Sequence, residues 1–210
     1  MGSLAMTVSA CEMHADGWRP PEPLPPPTEE EKQLAFKFRK MGGGELLVDG
    51  FGGKYGVLIT DEYEKRFYAR GMVSPRNSSV SAYMTRFGVP KTLRATWREN
   101  TPELRMNMEG IFDGSKVIAD YTASVAWRIP DEVLDAVRSK KGGFRFKLRL
   151  HDDDLLIGWD IDKGRSVYTG MRELEMAGGD FREAEIVDGK AVRKGWYIHP
   201  KTGQRIETDF

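Results

Sequence analysis

The chain has 210 residues, with 32 Lys+Arg against 32 Asp+Glu, so its formal net charge is zero. That balance offers no basic excess to attract nucleic acid and no acidic tail. No apolar run approaches the ~18 residues of a membrane-spanning helix, and 23 glycines in a chain that is 30% charged point to a loop-rich surface facing water.

The N-terminus carries the single cysteine, Cys11, just after a short apolar run from Leu4 to Ala10. Val8-Ser9-Ala10-Cys11 is how a bacterial lipoprotein signal ends. A small residue before the cysteine admits a peptidase, and the thiol then takes a diacylglycerol anchor. Each buried CH₂ of such an anchor contributes about 0.8 kcal/mol, so several acyl chains hold a protein to a bilayer. Met1-Gly2-Ser3 has the look of a cloning scar, and a longer native precursor is expected. The expected location is the periplasm, lipid-anchored at Cys11 to the outer membrane. A lone cysteine makes no internal disulfide. Pro20, Pro21, Pro23, Pro25, Pro26 and Pro27 follow, favouring an extended, semi-rigid tether of about 3 Å per residue. The expected organisation is a signal remnant and tether over 1–28 and one β-rich domain over 29–210.

After the tether, Thr28-Glu29-Glu30-Glu31 reads as a helix cap with an acidic first turn. Leu34, Phe36 and Phe38 have period two, however, and we favour a strand over 33–39. Glycine clusters at 42–44, 50, 52–53 and 56 lack the spacing of a phosphate loop and read as turns around strands 45–49 and 55–60. Residues 61–88 give little signal, and Ser74 to Ser81 reads as a polar loop. From Thr92 to Arg98 the apolar Leu93, Ala95 and Trp97 alternate with polar neighbours. Val117 to Trp127 alternates likewise. Pro130 then suits the first position of a helix near 130–140, with Asp131 and Glu132 at its positive end and Gly142-Gly143 to stop it.

Residues 144–161 specify a hairpin. Phe144, Phe146, Leu148 and Leu150 alternate with Arg145, Lys147 and Arg149, and Leu155, Ile157, Trp159 and Ile161 alternate in the returning strand. If His151-Asp152-Asp153-Asp154 is the turn, Leu150 meets Leu155, Leu148 meets Ile157, Phe146 meets Trp159 and Phe144 meets Ile161. Arg145, Lys147 and Arg149 then form an outward cationic stripe. Val187-Asp188-Gly189-Lys190 signals another hairpin, and Pro200-Lys201-Thr202-Gly203 turns between strands 193–198 and 204–207. The fold class expected is mainly β (α+β), with antiparallel sheets, sandwich-like, and one clear helix.

Catalytic patterns are hard to find. There is no Gly-x-Ser-x-Gly elbow, and Cys11 lies too early and too isolated in the chain to be a nucleophile with a histidine partner. His14, His151 and His199 lack metal-ligand spacing. Asp152-Asp153-Asp154 with Asp160 and Asp162 invites a calcium reading, but the spacing fits no EF-hand loop. Asp180, Glu183 and Glu185 supply enough acids for a glycosidase pair, although surface acids usually have no such role. The tryptophans at 18, 97, 127, 159 and 196 read as core. We therefore expect no enzyme activity, no cofactor, no metal and no small-molecule substrate.

Three segments carry a resemblance. They are Val89-Pro90-Lys91-Thr92-Leu93-Arg94-Ala95-Thr96-Trp97-Arg98-Glu99; Leu150-His151-Asp152-Asp153-Asp154-Leu155-Leu156-Ile157-Gly158-Trp159-Asp160-Ile161; and the tail from Gly178-Gly179-Asp180-Phe181 to Lys194-Gly195-Trp196-Tyr197-Ile198. Across 89–210 the chain resembles small bacterial lipoproteins encoded beside type VI secretion lipase effectors. The resemblance implies a periplasmic immunity protein whose partner is a cognate lipase effector. It carries over no binding residues. Loops concentrate binding residues, so the expected contact set is Ser74, Arg76, Asn77, Ser78, His151, Asp152 and Asp153. Two other readings stand beside it: a structural or assembly lipoprotein of the cell envelope, and an unrecognised hydrolase.

Overall fold

A computed structural model describes residues 25–41, 44–75, 79–82, 88–168, 170, 172–187 and 190–208. The first element corrects the expected strand over 33–39: it is the helix α1, Glu29–Lys37. The Glu31 N–H donates to Thr28 Oγ1 at 3.2 Å and the Thr28 N–H donates to Glu31 Oε2 at 2.6 Å, closing a reciprocal cap. Leu34 and Phe38, four residues apart, are buried together, while Phe36 is turned outward. The cap and the i,i+4 pair outweigh the period-two pattern.

The chain then runs through β1 (Gly44–Gly50), β2 (Lys54–Asp61), β3 (Arg66–Val73), β4 (Ser79–Ala82) and β5 (Thr92–Arg98). A ribbon of β6 (Arg105–Met106) and β7 (Phe112–Asp113) leads to β8 (Val117–Ser124). The expected strand to Trp127 is cut short there, because Ala126–Arg128 forms a 3₁₀ turn. Helix α2, Asp131–Arg138, has Pro130 as its N-cap and ends at Ser139, before Gly142-Gly143. Then come β9 (Gly143–His151), β10 (Asp154–Arg165), β11 (Arg172–Gly179), β12 (Phe181–Arg182), β13 (Glu185–Val187), β14 (Lys190–Arg193), β15 (Gly195–Ile198) and β16 (Arg205–Thr208).

Among the described residues the architecture is mainly β, with two α-helices. One sheet has the order β3-β2-β5-β8, wholly antiparallel; the other is β11-β10-β9-β1-β4. In the latter, β1 pairs with β9 in parallel, which the alternation could not show. A small sheet, β12-β15-β16, and the ribbon β13-β14 complete the C-terminal part. Val187 pairs with Lys190 as expected, while Asp188 and Gly189 of that turn lie outside the described residues. The main core draws on both large sheets and both helices, including Leu34, Ile59, Leu93, Trp97, Leu134, Phe146 and Ile157.

The β9–β10 register is the expected one, Leu150–Leu155, Leu148–Ile157, Phe146–Trp159 and Phe144–Ile161. The turn is tighter than expected, because His151 already pairs with Asp154. The cationic stripe is corrected more deeply. Arg145, Lys147 and Arg149 are buried, with Lys147 only 1% exposed. Each cation meets a carboxylate. Arg145 Nε lies 2.8 Å and Lys147 Nζ 3.0 Å from Asp160. Lys147 also contacts Glu183, and Arg149 grips Asp49 through two bonds of 2.7 and 2.8 Å. Phe181 closes this layer, with Arg149 Cζ 4.3 Å from its ring centroid. Burial pushes the Asp160 and Asp49 carboxyls up, against the pull of the neighbouring cations. Burial would raise Glu183 too, but Lys147 and Arg145 outweigh it and hold that carboxyl below its ordinary value.

Candidate partner-binding groove

Helices α1 and α2 leave between them a cleft of about 670 Å³. It exists because α1 buries only the Leu34/Phe38 side, presenting Phe36 at 65% exposure. The 3₁₀ turn ahead of α2 presents Trp127 at 46% exposure, correcting its expected place in the core. Trp97 and Trp159 do take core positions.

The cleft is held by a clamp from α2. Arg138 donates through Nε to Arg39 O at 3.2 Å and through Nη2 to Lys37 O, so one side chain satisfies carbonyls at the end of α1. Its Nη1 reaches Asp135. Lys37 Nζ pairs with Asp131 at 2.7 Å and lies 6.0 Å from the Trp127 ring centroid. The hydrogen bond from Lys37 holds the Asp131 carboxyl below its ordinary value. The Glu30 carboxyl is lowered chiefly by the hydrogen bond from Lys91, with a smaller contribution from Trp127. Arg39 lies over Phe36, Cζ 3.6 Å from the ring centroid, and its Nη1 donates to Phe36 O at 2.8 Å. Exposed aromatic and arginine side chains held on rigid elements are the composition that dominates binding energy at protein interfaces.

The residues expected from the sequence fall elsewhere. Cys11, Arg76, Asn77 and Ser78 lie outside the described residues. Ser74 is half-buried just after β3. His151 is not on an exposed turn: it is 5% exposed, with its ring centroid 5.0 Å from Phe51, 5.2 Å from Tyr197 and 5.9 Å from His199. Burial lowers its pKa. Asp152 pairs with Lys54 and accepts Tyr121 Oη–H on its carbonyl at 2.8 Å, and Asp153 pairs with Lys201. The turn is tied to its neighbours, with the Asp152 side chain still 71% exposed.

Of the acids considered for catalysis, Asp180 and Glu183 are likewise engaged, and the side chain of Glu185 lies outside the described residues. Asp180 takes both arms of Arg128 and the Ile157 N–H, and Glu183 faces Lys147. A cavity of about 220 Å³ beside Arg145, Asp160 and Glu183 is lined by charges already paired with one another. Among the described residues no group of three His, Cys, Asp or Glu is placed to hold a metal ion, and no helix is long and apolar enough to cross a membrane.

No protein family, no curated protein and no solved structure matches this chain. The groove is therefore read from its own chemistry. Alternation hides it, because by that pattern Phe36 belongs to a strand and Trp127 to the core. The signal that could have found it was present: Thr28 with Glu31 three residues later, followed by Leu34 and Phe38 at helical spacing.

Proposed function

We propose that this protein is a periplasmic lipoprotein immunity protein that binds and blocks a type VI secretion lipase effector. The supporting observation is the groove between α1 and α2, where Phe36, Trp127 and Arg39 are offered on a scaffold clamped by Arg138. The class of target comes from the resemblance across 89–210, and the anchor from Val8-Ser9-Ala10-Cys11. In this reading the lipid anchor and proline-rich tether keep the inhibitor at the membrane that a lipid-cleaving toxin attacks. The protein acts by occupancy and not by catalysis.

The test is inhibition of the lipase encoded by the neighbouring gene. Suppression is expected at an equimolar ratio, with no effect on an unrelated lipase, and should persist after residues 1–28 are removed. Suppression at far lower ratios would show that the toxin is destroyed catalytically. Failure to form a complex at micromolar concentration would overturn the immunity reading in favour of an envelope assembly role.

A further inference from the structure

We infer that the α1–α2 groove seats an acidic segment of the partner protein, one large apolar side chain entering between Phe36 and Trp127 and one adjacent carboxylate bound by Arg39. This rests on the immunity reading for the identity of the partner, and on the groove alone for its chemistry.

The charge distribution selects the occupant. The cleft is lined by Lys32, Lys37, Arg39 and Arg138 against Asp131 and Asp135. Lys37 is matched by Asp131, Arg138 by Asp135, and Lys32 by Glu29. Among the described residues no carboxylate pairs with Arg39. Its guanidinium lies over the Phe36 ring, with Nη1 engaged by Phe36 O. That leaves the Nε/Nη2 edge, two parallel N–H donors that match a carboxylate bidentately. The apolar requirement comes from the two exposed rings, which gain by excluding water when another large side chain covers them. A basic segment would meet repulsion at Arg39, and a purely apolar one would bury that cation unpaired.

The inference is tested with the full chain and the neighbouring-gene lipase, measuring Kd by calorimetry for wild type, Arg39→Gln, Arg39→Lys, Phe36→Ala and Trp127→Ala. Thermal melting confirms that each variant folds. Each substitution should weaken binding about 30-fold or more, as expected when an interface anchor is lost. Arg39→Lys should not rescue, because an ammonium lacks the fork. Arg94→Gln, on the outer face of the four-stranded sheet, should leave Kd unchanged. If the complex forms with the same Kd in all groove variants, the groove assignment is overturned while the immunity reading stands.

If the lipase does not bind wild type at all, the immunity reading fails, and the groove is judged with a synthetic peptide of alternating Glu and Trp. Saturable binding that Arg39→Gln removes supports the groove chemistry; no binding overturns it. Arg39-dependent sedimentation with phosphatidylglycerol vesicles would overturn the protein-segment assignment in favour of a lipid surface.

Discussion

The two faces of the β9–β10 hairpin are both buried, yet they are built from opposite materials. One carries Phe144, Phe146, Leu148 and Leu150 against Leu155, Ile157, Trp159 and Ile161. The other carries Arg145, Lys147 and Arg149 against Asp49, Asp160 and Glu183, under Phe181. The apolar face is stabilised by removal from water and needs only shape. The ionic face holds together only while every charge keeps its partner, since an orphaned buried charge is far more costly than the pair is favourable. Alternation in sequence thus identifies two faces of a strand without saying that one of them is wet.

The largest effects should come from breaking either face. Phe146→Ala is expected to lose about 3–5 kcal/mol through the cavity it leaves. Lys147→Ala is expected to lose a similar amount, about 3–5 kcal/mol, because Asp160 and Glu183 would be left with Arg145 alone between the two carboxylates. Urea unfolding measures both; a Lys147→Ala loss within about 0.5 kcal/mol, the range of a surface site, would end the comparison. A smaller effect sharpens it. Gly158 faces Lys147 across the strands, and a Cβ there would lie 3.1 Å from the Phe181 ring and 3.3 Å from Phe181 O. Gly158→Ala should therefore lose about 1–3 kcal/mol by lifting Phe181 off the ionic layer.

The rim of the layer should show itself in pH dependence. Unfolded His151 ionises near 6.5, whereas burial among Phe51, Tyr197 and His199 lowers the folded value, with Asp152 and Asp153 opposing the shift and Lys54 reinforcing it. Between the two values the unfolded chain holds the extra proton, so stability falls as pH falls below about 6.5, by at most about 1.4 kcal/mol per pH unit. Subtracting the profile of His151→Phe isolates this slope; identical profiles would remove His151 as its source. The smallest effect is the exposed control. Arg94 and Asp120 form an ion pair on open sheet surface, and Arg94→Ala should leave stability nearly unchanged. An effect as large as that of Lys147→Ala would show that burial is not what distinguishes the two pairs.

Much of the sheet structure was legible. Strand β5 and the β9–β10 register followed from alternation, because a one-residue slip would have put Phe146 and Trp159 on the charged face. What covers a face was not legible. Asp49, which neutralises Arg149, is 100 residues earlier, and Glu183, which meets Lys147, is 36 residues later. No local pattern encodes such pairings. The groove was lost for a related reason: Phe36 and Trp127 become neighbours only after α1 and α2 dock, and Arg138 clamps carbonyls about a hundred positions upstream.

The parallel pairing of β1 with β9 also sets an order of events. Strands β2, β3, β5 and β8 find one another within residues 54–124, and β9 and β10 close across a two-residue turn. Strand β1, by contrast, aligns Glu45 with Arg145 and Gly50 with Leu150, so a long loop must close before its contacts form. Non-local pairings of this kind are slow to form. As the polypeptide emerges from its N-terminus, β1 leaves early and must wait for residue 150, with the edge that β9 will cover still open. The interval between synthesis of the first strand and arrival of its partner is the stretch in which this chain most needs protection from other chains.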